Sequence, residues 1–310
     1  MLIAWQEFIK GKRKRKDVQE FQLHLIDNIL SLHLELKNKA YNHGSYLAFN
    51  ISDPKPRNIH KASVQDRLLH HAIYRILYPY FDKKFIFDSY SCRLNKGTHR
   101  ALNRFNEFSG KVSRNHTRIC YVLKCDVRKF FASIDHDLMN RILSRYIKNK
   151  NIGTLLAHII ESFQFSLGKG LPLGNLTSQL LVNIYMHEFD LFIKQELKVK
   201  YYIRYADDFV ILSDDNKYLE EILPKITKFL EEKLKLTLHE DKLRMHTYNN
   251  GVDFLGWVHF PYHRVIRTST KNKIIRMTKW YPKRETINSY RNLLKYGNTY
   301  KLRNSLKIFI

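Results

Sequence analysis

Cysteine is scarce in this sequence, and so are long apolar runs. The three cysteines, Cys92, Cys120 and Cys125, form no C-x-x-C pair and show no zinc-ligand spacing. A disulfide framework is therefore excluded, and the sparse, odd count fits a reducing compartment. The sequence also contains no apolar stretch long enough for a membrane span, and no signal-peptide core follows Met1. We expect a cytoplasmic protein without a membrane segment.

Acidic residues are also few relative to basic ones. The 310 residues include 54 Lys and Arg against 29 Asp and Glu, which gives a formal net charge of +25. This excess predicts a polyanionic partner, for which nucleic acid is the default, and phosphate contacts would make the binding salt-dependent. With 44% apolar residues, the chain can bury one large core or two modest ones.

Two of the acids stand at the tip of a predicted hairpin. The tetrapeptide Tyr205–Asp208 lies between two β-rich runs, 201–204 and 209–212. Adjacent carboxylates repel each other and Asp is disfavoured in strands, so a divalent metal that prefers carboxylate oxygens would offset the cost. A solvated turn is the alternative that this motif alone leaves open.

A third acid follows a predicted buried strand upstream. The run 119–125 is apolar apart from Lys124 and leads into Asp126. Beside the hairpin, Asp126 would complete a three-carboxylate cage for two metals, one activating a 3′-hydroxyl and the other holding a triphosphate. Phe131 would lie under the incoming sugar, where its ring leaves no room for a 2′-hydroxyl. A turn cap at Asp126 and a core position for the phenylalanine are the alternatives.

Seven sequence blocks, in order, resemble those of reverse transcriptases. Asp126-x4-Phe131 resembles motif A, and Tyr205–Asp208 resembles motif C. The other five resemble two finger blocks, motif B, motif D and the primer grip, at residues 57–72, 89–102, 171–179, 236–242 and 254–256. The similarity spans about residues 50–260, and seven ordered blocks are far more specific than any one of them.

This resemblance implies a set of site residues, cofactors and partners. Catalysis would rest on Asp126, Asp207 and Asp208, with Val127 as a further ligand for two Mg²⁺ ions, or Mn²⁺ in their place. Lys242 would protonate leaving pyrophosphate, although a plain surface lysine is its rival. The partners would be template RNA, the RNA/DNA duplex and dNTPs. The remaining nucleotide, template and primer contacts would come from Arg57, Lys61, Arg93, Lys96, Leu173, Gly174, Gln179, Phe254, Leu255 and Gly256.

Motif B indicates which type of reverse transcriptase the chain resembles. Most bacterial reverse transcriptases carry Gln-Gly-x-x-x-Ser-Pro in motif B, whereas this chain has Leu173-Gly174 and Ser178-Gln179. That form is similar to the enzymes of diversity-generating retroelements, which copy a template-repeat RNA with errors at adenines and use a small basic accessory protein. A leucine cannot hydrogen-bond near the templating base, so checking of the nascent pair should weaken. The resemblance therefore implies mutagenic cDNA synthesis.

The implied architecture is a right-hand polymerase of the α+β class, with fingers, an antiparallel-sheet palm and a short helical thumb. We assign 1–49 to an N-terminal helical extension, 50–115 to the fingers, 116–262 to the palm with finger-contacting insertions, and 263–310 to the thumb. Periodicity predicts helices over 17–39, with Asp17 as N-cap, over 175–197 and over 218–238. Asp135 and Asp137 are predicted to cap a helix. A strand over 254–260 should pair with 264–267.

Other functions remain open at this point. An antiphage-defence, retron-like or group II intron-like reverse transcriptase would share the polymerase, although the Ser-Gln ending of motif B disfavours the last two. Residues 257–310 are too few for an RNase H, integrase or endonuclease domain, so we expect a stand-alone polymerase. A catalytically silent RNA-binding module would not need the three intact acids. An RNA-dependent RNA polymerase shares the palm, but Phe131 favours a DNA product.

Overall fold

The structure, a computed structural model, describes residues 1–52, 56–281 and 283–305. The chain divides into two compact units. The first unit comprises Met1–Phe87, Val127–Glu196 and Thr227–Thr237, and the second comprises Asp88–Asp126, Leu197–Ile226 and the described residues from Leu238 onward. Each unit is therefore assembled from several separate stretches of sequence.

Helices and antiparallel sheets make up both units. The helices are α1 (Leu2–Phe8), α2 (Lys16–Leu23), α3 (Leu25–Lys37), α4 (Val64–Asp82), α5 (Thr98–Val112), α6 (Phe130–Ser133), α7 (His136–Tyr146), α8 (Lys150–Glu161), α9 (Leu176–Leu191), α10 (Asn216–Leu234), α11 (Thr268–Trp280), α12 (Arg284–Leu294) and α13 (Tyr300–Ser305). The strands are β1 (Leu47–Ile51), β2 (Arg57–Lys61), β3 (Tyr121–Asp126), β4 (Tyr201–Tyr205), β5 (Asp208–Ser213), β6 (Arg244–Thr247), β7 (Val252–Phe254), β8 (Trp257–His259) and β9 (Arg264–Ile266). The predicted α+β class with antiparallel sheets is confirmed.

The first unit is mainly helical. Helix α4 packs against α1, α2 and α9, and the side chains of α1 and α2 form a core cluster around Trp5, Phe8 and Val18. Helix α9 is buried on nearly all sides, because apolar residues occupy both faces of it. It continues into a π-helical segment, Phe192–Glu196, so the predicted helix over 175–197 is confirmed with a change of winding at its end.

The prediction of one helix over 17–39 is wrong. The backbone of His24 (φ −115°, ψ 35°) leaves the helical region, and this residue separates α2 from α3. Asp17 is not the N-cap either, since Arg15 precedes the first helical residue, Lys16. Asp17 instead lies in the first turn, where its carboxylate accepts Lys61 and Arg67 at 2.6 and 2.5 Å.

The second unit is built around a four-stranded sheet in the order β4-β5-β3-β6. Strand β3 lies between β5 and β6 and is antiparallel to both. Helix α5 covers one face, where Leu102 and Phe105 join Val122 and Val210 in the core. Val, Leu, Ile and Phe fill most interior positions of the central strands β3 and β5, with Lys124 of β3 as an exception.

A second, three-stranded sheet, β7-β8-β9, follows in the same unit. The predicted strand over 254–260 is wrong, because Leu255 and Gly256 form a two-residue turn between β7 and β8. Both turn residues have positive φ, +50° and +87°, as the tight hairpin turn that matches strand twist requires. The predicted pairing with 264–267 is confirmed for β8 and β9.

Beyond β9 the described residues form mainly the helices α11, α12 and α13, in agreement with the predicted helical C-terminal segment. The predicted helix over 218–238 corresponds to α10, which ends at Leu234. The boundaries of fingers, palm and thumb stay a prediction. In the described ranges, no helix combines the length and the apolarity that a membrane crossing requires.

Asp135 caps α7, as predicted, and this allows a test of its charge. Its side chain accepts the Leu138 amide at 2.9 Å and the Lys235 ammonium at 2.6 Å. Burial by itself raises the pKa of Asp135, but the Lys235 and Leu138 donors outweigh it and lower the pKa below its usual 3.8. Since Asn caps helices as well as Asp does, Asp135→Asn removes only the charge and should cost about 1 kcal/mol of unfolding free energy at pH 7.

The pH dependence of that cost follows from the lowered pKa. A carboxylate whose pKa is depressed by folding stabilises the protein above its unfolded-state pKa, and the contribution is lost as the pH falls through the folded-state pKa. Urea unfolding should therefore separate wild type from Asp135→Asn at pH 7, and the difference should shrink progressively below pH 3.8. The exposed neighbour Asp137→Asn is the control. An unchanged difference at low pH would contradict the assignment.

Candidate active site

The tip of the β4–β5 hairpin carries two adjacent carboxylates. Tyr205 pairs with Asp208, so the loop consists of only Ala206 and Asp207. Ala206 has a left-handed backbone, with φ of +57°. The hairpin is rooted in a fully buried part of the sheet, because Tyr202, Ile203, Phe209 and Val210 are all inaccessible to solvent. The predicted hairpin is confirmed, and its two acids stand at the tip of a pair of buried strands.

Asp126 lies directly opposite Asp208 in the antiparallel pairing of β3 with β5. Residues that oppose each other across such a pair project from the same face, with Cβ atoms about 5 Å apart. The register thus brings together carboxylates that are 82 positions apart in sequence. Asp207 belongs to the adjoining turn. The three predicted acids therefore lie together at one end of the β3–β5 pair, with Asp207 in the turn that precedes β5.

Asp208 is electrostatically the most perturbed of these acids. Burial raises its pKa to about 7, helped by the negative charges of Asp126, Asp207 and Asp253, while Lys124 acts in the opposite direction. Its Oδ1 atom is buried and has no hydrogen-bond partner among the described residues. A buried oxygen left in this state needs a cation or a proton, since an unpaired buried charge is costly.

Two lysines offset part of this negative charge. Lys242, in a short turn before β6, donates to Oδ1 of Asp126 at 2.6 Å and is 44% exposed. Lys124, on β3, donates to the backbone carbonyl of Asp253 at 2.6 Å. The Asp253 carboxylate pairs with Arg267 at 2.5 Å. Sequence reasoning missed the role of Lys124, which stands two residues before Asp126 on the same strand, and that of Asp253, which only the folded chain brings beside Lys124.

The chemistry of these donors fits a divalent metal. Carboxylate oxygens are the ligands that hard cations prefer, and the unpartnered Oδ1 of Asp208 offers one of them. Within the described part of the chain, however, no group of three or more His, Cys, Asp or Glu side chains is arranged to hold a metal ion. The three-carboxylate cage therefore stays a prediction, and so does a role for Val127, whose side chain is buried.

Motif B and strand β2 lie side by side in the first unit. The His60 amide donates to the Leu173 carbonyl at 3.0 Å, and the Asn175 side chain donates to the His60 carbonyl at 3.3 Å. Gly174 has φ of +110°, and a Cβ atom there would lie 2.9 Å from Cγ2 of Ile59. This glycine is therefore required for the contact with β2, in addition to the approach to a base pair that its sequence position predicts.

The candidate substrate-binding residues differ in how closely other groups of the protein hold them. Arg57 on β2 is exposed, whereas Lys61 at the end of that strand is held by Asp17. In the second unit, Arg93 donates to the Ser89 carbonyl at 2.9 Å, and the Lys96 ammonium lies 5.0 Å from the centre of the Tyr90 ring. Gln179, in the first turn of α9, is half-buried. Substrate contacts by all five stay predictions.

The primer-grip block divides into a buried and an accessible part. The ring of Phe254 is fully buried and lies 5.5 Å from that of Phe105, so it is a core residue that anchors the hairpin. Leu255 and Gly256 form the turn and are partly accessible. Contact with a primer is thus available to the turn and not to the Phe254 ring. Phe131, at the start of α6 in the first unit, is half-buried beside Phe130.

Comparison with known proteins identifies the family of this chain. A family model described as "Reverse transcriptase (RNA-dependent DNA polymerase)" matches residues 51–259, more than half of the chain. The chain belongs to the reverse transcriptase family. Reverse transcriptases generally use divalent metal ions, which agrees with the oxygen-rich edge formed by Asp126 and Asp208.

Curated relatives of this reverse transcriptase chain include intron-encoded proteins. Protein YkfC of Escherichia coli K12 is 26% identical over 275 residues, covering 76% of this chain and 70% of that protein. The group II intron-encoded protein LtrA of Lactococcus lactis is 24% identical over 265 residues, covering 62% of this chain and 42% of that protein. This chain therefore spans less than half of LtrA.

Solved structures show the same fold at low sequence identity. The apo telomerase of Candida tropicalis truncated from its C-terminal domain gives a TM-score of 0.55 at 13% identity, covering 79% of this chain and 60% of that one. The telomerase of Candida albicans in complex with a fragment of telomeric RNA gives 0.53 at 12% identity, covering 77% and 49%. The predicted polymerase fold is confirmed at this level.

Gly174 and Gly153 differ in backbone conformation and in the space around them, and alanine substitutions test this difference. Gly174→Ala introduces a Cβ at a positive φ and against Ile59, so we expect it to destabilise the protein by about 1–3 kcal/mol. Gly153→Ala, inside α8 with no described atom within 4 Å of the new Cβ, should instead stabilise it by about 0.5–1 kcal/mol. Urea unfolding of both variants checks this, and equal effects would refute it.

Proposed function

We propose that this chain is an RNA-directed DNA polymerase in which Asp126, Asp207 and Asp208 carry nucleotidyl transfer. The observation that supports this most is the register of β3 with β5, which sets Asp126 opposite Asp208 beside the Asp207 turn. Family membership supplies the class of reaction, and the net charge of +25 supports a nucleic-acid substrate. Template RNA, the RNA/DNA duplex and dNTPs are the proposed partners.

Metal binding, proton donation and sugar selection would fall to different residues of the chain. Two Mg²⁺ ions, or Mn²⁺, would supply activation of the 3′-hydroxyl and charge neutralisation on the triphosphate when bound. Asp126, Asp207 and Asp208 would hold them, with the Val127 carbonyl as a further ligand. Lys242 is 44% exposed, so its ammonium can leave Asp126 and offer a proton to leaving pyrophosphate. Phe131 would exclude a 2′-hydroxyl by its bulk.

The finer proposal concerns the type of reverse transcriptase. Leu173 and Gln179 depart from the usual motif B, and the leucine has no polar group with which to test a nascent base pair. Weaker checking of the nascent base pair follows, and the resemblance to the enzymes of diversity-generating retroelements implies that the errors fall at template adenines. We therefore propose mutagenic copying of a template-repeat RNA with the help of a small basic accessory protein. Arg57, Lys61, Arg93 and Lys96 would contact template or triphosphate, and the Leu255–Gly256 turn would support the primer.

An intron-type reverse transcriptase is the second candidate. It is favoured by the similarity to the group II intron-encoded protein LtrA. The two candidates share the polymerase reaction and differ in fidelity and template. The Ser178-Gln179 ending of motif B is the sequence feature that favours the retroelement type over it.

Primer extension on a defined RNA template tests the polymerase itself. We expect wild type to make DNA with Mg²⁺ and dNTPs, and Asp207→Asn to lose at least about 1,000-fold in rate, the equivalent of several kcal/mol of metal-dependent charge stabilisation. Asp214→Asn is the matched control, because Asp214 is exposed and follows the opposite end of β5. Retained synthesis by Asp207→Asn, or an inactive wild type with its cognate RNA and accessory protein, would refute the proposal.

Sequencing of the cDNA tests the retroelement type. We expect wild-type errors to concentrate at template adenines, and Leu173→Gln to reduce them about 10-fold, which corresponds to the roughly 1 kcal/mol scale of one hydrogen bond. Leu167→Gln places the same substitution on a side chain that is 92% exposed and should leave the error spectrum unchanged. Faithful copying of adenines by wild type would favour an intron-like, retron-like or defence enzyme.

A further inference from the structure

Arg204 is a fully buried arginine in the strand that leads to the Asp207–Asp208 pair. Its side chain has no solvent exposure, and it is among the largest completely buried side chains of the described residues. Burying a guanidinium is expensive unless its donors are satisfied, and an apolar residue of similar size is usually tolerated as well or better. A buried arginine beneath the three acids therefore calls for an explanation beyond packing.

Its contacts connect the hairpin tip with a second segment. One terminal nitrogen, Nη1, donates to the backbone carbonyl of Ala206 at 3.1 Å, and the other, Nη2, donates to the Ser89 hydroxyl at 3.1 Å. The backbone of Arg204 bonds to the same segment, since its amide donates to the Asp88 carbonyl at 3.0 Å and its carbonyl accepts the Tyr90 amide at 2.9 Å. The guanidinium thus joins the turn to residues 88–90.

The segment 88–90 is itself firmly held. Asp88, Ser89 and Tyr90 are all buried, and the Tyr90 hydroxyl donates to Asp88 at 3.0 Å. The Asp88 carboxylate also accepts Arg104 of α5 at 2.8 Å. A donor anchored to this segment is therefore fixed in space, because the segment cannot move without breaking these bonds.

The carbonyl that accepts the bond from Arg204 belongs to Ala206, whose backbone is strained. Ala206 has φ of +57°, a conformation that side-chain-bearing residues adopt at a cost and that persists only where its surroundings enforce it. Ala206 immediately precedes Asp207, so its backbone conformation sets the direction in which the two acids leave the turn. A displacement of about 1 Å at reacting groups is enough to cost two orders of magnitude in rate.

We propose that Arg204 is a positioning residue, which holds the left-handed turn at Ala206 and so fixes Asp207 and Asp208 for catalysis. The inference rests on the proposed polymerase function for the meaning of the two acids, while the positioning itself is a property of the hairpin. Arginine suits the task because its planar fork reaches two acceptors at once, whereas the single ammonium of lysine cannot span both.

The test compares Arg204→Lys with Arg104→Lys as the matched control. Both changes keep the charge, and both perturb contacts of the 88–90 segment, but only Arg204 reaches the hairpin carbonyl. In protein labelled with ¹³C-alanine, the Cα and Cβ shifts of Ala206 report its left-handed backbone. We expect Arg204→Lys to move or broaden these signals and Arg104→Lys to leave them unchanged.

Steady-state primer extension supplies the second measurement. Arg204→Lys should lower kcat about 10- to 100-fold, the cost of mispositioned reacting groups, with the KM for dNTP within about two-fold of wild type. Ala206→Gly in the Arg204→Lys background should restore part of kcat, because glycine adopts a positive φ without strain. The same glycine should give no gain in the Arg104→Lys background. A purely structural role would lower the active fraction of enzyme and show no such selective rescue.

Each outcome bears on the proposal separately from the polymerase function. Unchanged Ala206 signals in Arg204→Lys would overturn it, whether or not the protein makes DNA. Unchanged kcat, or a loss confined to KM, would also overturn it. If Arg204→Lys fails to fold, Ser89→Ala removes one of the two anchors and should shift the same signals to a smaller extent. An inactive wild type that still shows the Ala206 shift in Arg204→Lys would count against the polymerase and in favour of the positioning role.

Discussion

The register of β3 against β5 is the constraint on which the rest of the site depends. Side chains alternate between the faces of a strand, so a slip of one residue would send Asp126 to the opposite face from Asp208 and would turn the buried Val122 and Leu123 over with it. The apolar side chains of β3 and β5 therefore fix the position of the acids, and core packing and site geometry are enforced by the same contacts.

The charge around the ends of β3 and β5 is negative, although the chain as a whole is strongly positive. A protein with a net charge of +25 gathers Asp126, Asp207, Asp208 and Asp253 at one place, where burial raises the pKa of Asp208 and the charges of the other three acids raise it further. Lys124 and Lys242 offset this charge differently. Lys124 sits on the sheet and is tied to a backbone carbonyl, whereas Lys242 lies in a short turn and bonds to a carboxylate. Lys124 therefore helps to hold the sheet, whereas the exposed Lys242 can exchange its carboxylate partner for another anion.

The sequence was informative where local pattern and structure coincide. The hairpin at Tyr205–Asp208 and the strand ending at Asp126 were predictable because runs of β-formers end abruptly in acids. The cap at Asp135 was predictable because an acid precedes an apolar-periodic helix. Each of these features depends on neighbours within a few residues.

Features that depend on distant neighbours were not predictable. The apolar spacing continues through His24, so nothing in the pattern marks the end of α2. A leucine at positive φ is rare, so the sequence does not predict a turn at Leu255. Arg204, Lys124 and Asp253 have ordinary surroundings in sequence, and their roles arise only when strands and loops far apart in the chain pair with one another.

The discontinuity of the two units has a consequence for biosynthesis. The first unit needs residues 227–237 to be complete, and the second needs residues beyond 238 to close its sheet with β6. Neither unit can therefore finish folding while the ribosome is still making the first two thirds of the protein. The nascent chain must carry the open edge of β3 until β6 is made late in translation, and this edge is where aggregation would begin in a chain that stalls or is truncated. Neither unit is encoded as a contiguous fragment, so dissection of this protein has to proceed by substitution and not by deletion.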